Sequence, residues 1–182
     1  MRFFSFMMKY SDFDIEIEGR KNGSYKFTYE LEDDFFVLFE KALIDHGHLS
    51  VDLEMVKKNK LYEFIYHIEG EVELVCDRCL GKFMHPVKID AVQIVKVGDE
   101  FKDIDERTVM VPESKKSINV AQWLYEDAAL TIPYKKVHPL DENGNSTCNH
   151  EMLDILERYT ISDKEEIKTD PRWDALKGLL NK

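Results

Sequence analysis

Cysteine is scarce. The 182-residue chain has three, Cys76, Cys79 and Cys148. So small and odd a number, without an export signal, excludes a disulfide framework and points to a reducing cytoplasm. Basic charge is also in deficit: 25 Lys and Arg face 36 Asp and Glu, a formal net charge of −11. A protein that grips nucleic acid mainly by neutralising phosphates carries a basic surface. Any RNA contact here must come from a local patch or through a basic protein partner. No apolar run approaches the length of a membrane span, so no membrane contact is expected. There is no Gly-rich phosphate loop, no H-E-x-x-H and no G-x-S-x-G. The acids are plentiful, but no pair is spaced in a way that singles it out for acid–base work. Neither an enzymatic reaction nor a small-molecule substrate is expected.

What the chain does have is a core. Hydrophobic residues make up 43% and charged residues 34%, the balance of a globular protein long enough to bury a core without cross-links. The opening MRFFSFMMKY is apolar but short and reads as a first strand rather than a signal peptide. Phe13, Ile15 and Ile17 alternate with acids, Asn22-Gly23 offers a turn, and Tyr25, Phe27 and Tyr29 alternate again, so 12–31 reads as a hairpin. In EDDFFVLFEKALID, Phe35, Leu38, Phe39 and Leu43 change to helical spacing behind an Asp33 or Asp34 cap. Further strands follow on Val51, Leu53 and Met55, on Leu61 to Ile68, on Val72, Leu74 and Cys76, and on Val87, Ile89 and Ala91. The charged stretch 98–116 is a mobile loop or holds one short strand around Thr108–Val111. Ser117 or Asn119 can cap a helix carrying Val120, Trp123, Leu124 and Ala128, which Pro133 ends. Asn143-Gly144 marks a turn in the polar segment that follows. Two amphipathic segments close the chain: HEMLDILERY, and DPRWDALKGLL with Asp170 as cap and Pro171 at the first helical position.

The stretch LVCDRCL, residues 74–80, carries the chemistry. A Cys-x-x-Cys turn lets two thiolates converge on one tetrahedral ion. The second half of such a site would come from the polar loop, which offers His138, Cys148 and His150. Cys76, Cys79, His138 and Cys148 make a three-cysteine, one-histidine zinc set. His150 is an alternative to His138, and His85 a weaker candidate. A redox role is the second reading, although in thioredoxin-like proteins the motif opens a helix and here it lies between strands. Two packed thiols without a ligand are the third. Among the basic residues, Arg78 stands out because it sits inside the turn, where it could meet a phosphate or an acidic group. Lys82, Lys135 and Lys136 are the neighbouring concentrations of positive charge.

A strand ending in C-D-R-C-L, then S-I-N-V-A-Q-W-L-Y-E-D-A-A-L-T-I-P-Y-K-K-V-H, a later cysteine and a closing D-P-R-W-D-A-L-K-G-L-L together resemble the YceD family. These are the large ribosomal RNA subunit accumulation proteins. The likeness spans roughly residues 50–182. It implies a bacterial or plastid protein tied to large-subunit ribosomal RNA, with no established reaction. Cys76, Arg78, Cys79 and Leu80 match the family's turn, and Glu126 its acidic helix position. His138 stands where many relatives have a cysteine.

The expected fold is α+β: a mostly antiparallel sheet or partly open barrel, a helix after the first hairpin, one central helix and two C-terminal helices. Residues 1–160 are expected to form one domain, with 161–182 as linker and terminal helix. The cysteine turn and the 138–150 loop should meet around a structural zinc. The expected function is a cytoplasmic, non-enzymatic factor in large ribosomal subunit biogenesis. Its partner would be a large-subunit ribosomal RNA precursor or a basic ribosomal protein, contacted through Arg78, Lys82, Lys135, Lys136 and Trp173. The alternatives are a zinc-stabilised interaction module unconnected with RNA and, behind it, a cytosolic thiol oxidoreductase.

Overall fold

A computed structural model of the chain describes residues 8–40 and 42–160. In order, the strands are β1 (Asp14–Glu16), β2 (Gly23–Leu31), β3 (Gly47–Lys58), β4 (Leu61–Val75), β5 (Lys82–Gly98), β6 (Lys102–Asp105), β7 (Thr108–Pro112) and β8 (Ser117–Asn119). The helices are α1 (Asp33–Phe36), α2 (Ala121–Leu130) and α3 (His150–Tyr159). One sheet has six strands in the order β2-β3-β4-β5-β7-β6. Neighbours are antiparallel except β5 and β7, which run parallel.

The period-two pattern explains the long strands. Leu49, Val51, Leu53 and Met55 of β3, and Tyr62, Phe64, Tyr66, Ile68, Val72 and Leu74 of β4, are all buried. Alternate residues point to opposite faces, so one face makes the core and the other meets water. Helix α2 covers part of the buried face. Trp123 meets Phe64 edge-on at 5.5 Å between ring centroids, and Leu124 and Ala128 are fully buried. The sheet stays open, with β2 and β6 as its edges; it does not close into a barrel.

The first hairpin forms differently from its sequence pattern. β2 pairs with β3, whereas β1 pairs antiparallel with β8, Ile15 opposite Ile118. Asn119 fixes this arrangement. Its side-chain amide donates to the Tyr10 carbonyl at 2.7 Å and to Asp14 Oδ1 at 2.9 Å, and its Oδ1 accepts the Ala121 N–H at the start of α2. Upstream of β1, Tyr10–Phe13 form a 3-10 turn rather than part of a strand.

The helix expected over EDDFFVLFEKALID is a single turn. Phe35 and Phe36 are both buried although adjacent, and Leu43, assigned to the apolar face, is exposed. Phe35 packs against Phe13 and Phe39. Asp33 turns its carboxylate back onto His46 and the Gly47 N–H, holding the segment as a compact loop. Residues 98–116 contain two strands, β6 and β7, rather than one. The remaining described helices are α2 and α3. Trp173 and the whole of 161–182 lie outside the described residues.

Gly70 occupies a core-facing position of β4, with φ 154°. A Cβ there would lie 2.1 Å from the His48 carbonyl oxygen and 2.9 Å from Leu49 Cα, so β3 approaches only because the side chain is missing. Gly70→Ala is expected to cost more than about 2 kcal/mol in urea unfolding. An unchanged midpoint would show that the two strands can separate here without loss.

Candidate metal centre

Two segments far apart in sequence build the site. The first is the turn between β4 and β5. The Cys76 N–H donates to the Gly81 carbonyl, and the Leu80 N–H to the Cys76 carbonyl, each at 2.9 Å. Closing the turn so tightly forces Leu80 to φ 58°, the left-handed region. The second segment is the loop from α2 to α3. Asp141 gathers the N–H groups of Asn143 and Asn145, and Gly144 takes φ 83° in the expected turn. Asn149 then caps α3 by accepting the Glu151 N–H at 2.9 Å. Cys148 therefore sits just ahead of a helix cap.

Asp77 ties the segments together. Its N–H donates to the Lys136 carbonyl and its Oδ2 accepts the Lys136 N–H, both at 2.7 Å. The result brings Cys76, Cys79, His138 and Cys148 together, one ligand atom from each lying within 4.8 Å of all the others. A tetrahedral zinc ion with bonds of about 2.3 Å to sulfur and about 2.05 Å to nitrogen places two sulfurs roughly 3.8 Å apart, and a sulfur and a nitrogen roughly 3.6 Å apart. Here Cys76 Sγ and Cys148 Sγ are 3.8 Å apart. His138 Nδ1 lies 3.4 Å from Cys79 Sγ and 3.7 Å from Cys148 Sγ. The donor chemistry and the spacing both fit zinc.

None of the three cysteines is more than 4% exposed. Phe83, Val137, Met152 and Leu153 pack around them. Gly81 allows the imidazole in, because a Cβ there would stand 3.3 Å from His138 Cε1. Burial pushes the Cys76 thiol up, but the N–H groups of Cys79 and Arg78 and the His138 ring outweigh it and hold it at about 6. For Cys148 the Ser146 hydroxyl pulls down, but burial and the neighbouring Cys76 and Cys79 sulfurs prevail and raise it. A lowered thiol suits both a redox cysteine and a metal ligand. Burial of all three sulfurs, with Cys76 and Cys79 in a turn between two strands that opens no helix, argues for the ligand.

His150 is exposed as the first residue of α3 and stands outside the group. His85 instead lies 3.2 Å from the Thr131 carbonyl through Nε2. Arg78 and Lys135 are exposed beside the cluster. Lys82 pairs with Glu73 at 2.7 Å, and Lys136 approaches Asp77 at 4.0 Å. Glu126 is exposed and accepts from Gln122.

The neighbouring acid, Asp127, has the more constrained position, and the sequence reading passed over it. It is 6% exposed, and its Oδ2 accepts from the Tyr66 hydroxyl at 2.5 Å and from Arg107 Nη1 at 2.8 Å. Burial, reinforced by Asp127, raises the Tyr66 hydroxyl, and the bond to Asp127 raises the Arg107 guanidinium. The signal was present: Asp127 falls seven residues after Val120, on the apolar face of α2. Asp127→Ala is expected to cost about 2 kcal/mol in urea unfolding, because it leaves the buried Tyr66 hydroxyl without a partner while the half-exposed Arg107 turns to water. Asp127→Asn, which keeps an acceptor, should cost less. Equal losses would mean that the carboxylate only fills space.

Chelation of the native protein is expected to lower Tm by several degrees, and one equivalent of Zn²⁺ to restore it. Cys148→Ser should start from the lower Tm and respond to neither treatment. A wild-type Tm indifferent to both would remove the metal from the site.

No curated protein and no solved structure matches the chain. Residues 65–180 match the family model described as Large ribosomal RNA subunit accumulation protein YceD. That span takes in β5, α2, α3, the cysteine turn and the polar loop. The chain belongs to the YceD family.

Proposed function

We propose that this protein is a non-enzymatic, cytoplasmic factor in large ribosomal subunit biogenesis, supporting the synthesis, processing or accumulation of large-subunit ribosomal RNA. The observation that carries this is the match of residues 65–180 to a family described by that RNA's accumulation. The donor set supports a structural rather than a catalytic zinc, since four protein ligands leave no open position for chemistry. Among the described residues no helix is long and apolar enough to cross a membrane.

The net charge of −11 restricts where RNA could touch. Repulsion from the acidic body favours contact through a small rigid patch. The cysteine turn offers one: Arg78 inside the turn, Lys135 across from it, and the fully exposed ring of Tyr134 beside Lys135. Lys82 and Lys136 sit close by, their charge shared with Glu73 and Asp77. Guanidinium and ammonium groups meet phosphate, and an exposed aromatic ring can stack on an unpaired base.

Crosslinking in the native cell, followed by readout of bound RNA, is expected to enrich large-subunit ribosomal RNA precursors over bulk RNA. Arg78→Glu with Lys135→Glu should lower that yield several-fold and leave Tm unchanged. Recovery of a ribosomal protein without RNA would turn the proposal toward a protein escort. Recovery of neither, with normal ribosomal RNA levels after depletion, would defeat it.

A further inference from the structure

A second site lies away from the cysteine cluster, in a groove of about 780 Å³ between α2 and the β6–β7 edge of the sheet. Its floor contains Gln93 of β5. The core-facing positions of that strand hold Val87, Ala91 and Val95, all buried, and Gln93 follows the same alternation. It is only 5% exposed, and its side-chain amide has no hydrogen-bond partner among the described residues. No side-chain polar atom there is both sealed from solvent and unpartnered, so the amide opens into the groove. A glutamine on a core face, 5% exposed and turned toward a groove, holds its amide in a fixed position from which it can meet a ligand. An amide offers a donor and an acceptor side by side, the complement of a peptide unit.

The walls narrow the choice of ligand. Asp103, Asp105, Glu106 and Glu126 line the groove. The charge of Asp127 is cancelled by Arg107, and Lys115 is the one other cation lining the groove among the described residues. The groove therefore repels phosphate and attracts Lys and Arg. Trp123 stands inside it, and Phe101 and Leu130, both largely exposed, flank it; these suit an apolar anchor. One wall belongs to β6, the last strand of the sheet. Among the described residues its outer backbone edge has no pairing strand, and such an edge can accept an added strand.

We propose that this groove binds an extended, basic protein segment that places an apolar side chain against Trp123 and a main-chain amide against Gln93. The proposal goes beyond the ribosomal reading. Peptide binding is measured in vitro and ribosomal RNA accumulation in cells, so each can fail without the other.

The test titrates the full chain into a labelled peptide of alternating lysine and leucine and follows fluorescence anisotropy. Binding is expected to saturate, and to weaken by roughly tenfold or more when glutamate replaces lysine or serine replaces leucine. Asp105→Lys with Glu126→Lys should lose binding to a similar degree. Asp52→Lys with Asp90→Lys makes the same change in net charge on the opposite face of the sheet and should leave binding intact. Gln93→Leu, which a purely structural glutamine would tolerate, is expected to weaken binding several-fold while the fold persists by circular dichroism. Equal weakening by both charge-reversal pairs would reduce the effect to bulk charge and overturn the proposal. Preference for a single-stranded RNA oligonucleotide would overturn it too. So would self-association of the free chain that Asp105→Lys with Glu126→Lys abolishes, which would give the groove to a second copy.

Discussion

Burying three thiols and an imidazole against one another is unfavourable unless something takes the place of their protons. Thiolates repel at such distances, and neutral thiols make weak hydrogen bonds that return little of the desolvation. A divalent cation at the centre changes the sign of the problem, because it stabilises all the thiolates together. The turn after β4 and the loop before α3 are also joined by the double hydrogen bond between Asp77 and Lys136 and by the packing of Phe83 on His138. These contacts set the loop against the cysteine turn and so bring Lys136 and His138 up to Asp77 and Cys79.

Two regions of opposite character result. At the clasp, the exposed groups include Arg78, Lys135 and Tyr134. At the groove, they are carboxylates around a tryptophan. A chain with net charge −11 can place a small basic patch and an acidic groove apart from one another, each with its own class of partner. The proposed RNA contact belongs to the first region and the proposed basic segment to the second.

The long strands were legible because a two-residue period imposed by burial on one face leaves a clear trace, as in the even positions of β4. The cysteine turn was legible for a similar reason: zinc-type spacing is local, and His138 and Cys148 were among the few donors left to complete it. Pairing partners were less accessible. β1 joins β8 across a hundred residues of chain through the amide of Asn119, and no local pattern encodes that contact. The helix after β2 misled because Phe35, Leu38 and Phe39 fit a helical face, while the bonds of Asp33 to His46 and Gly47 stop the helix after one turn. Gln93 stands in the apolar alternation of β5 and Asp127 on the apolar face of α2. Their place became clear only with the groove and with Arg107 beside Asp127.

Zinc K-edge X-ray absorption on the natively purified protein tests the clasp most directly. A first shell of three sulfurs at about 2.3 Å and one nitrogen at about 2.0 Å is the expected result. An absent zinc edge in protein never exposed to chelator, or a shell of light atoms alone, would show that Cys76, Cys79, His138 and Cys148 come together for another reason.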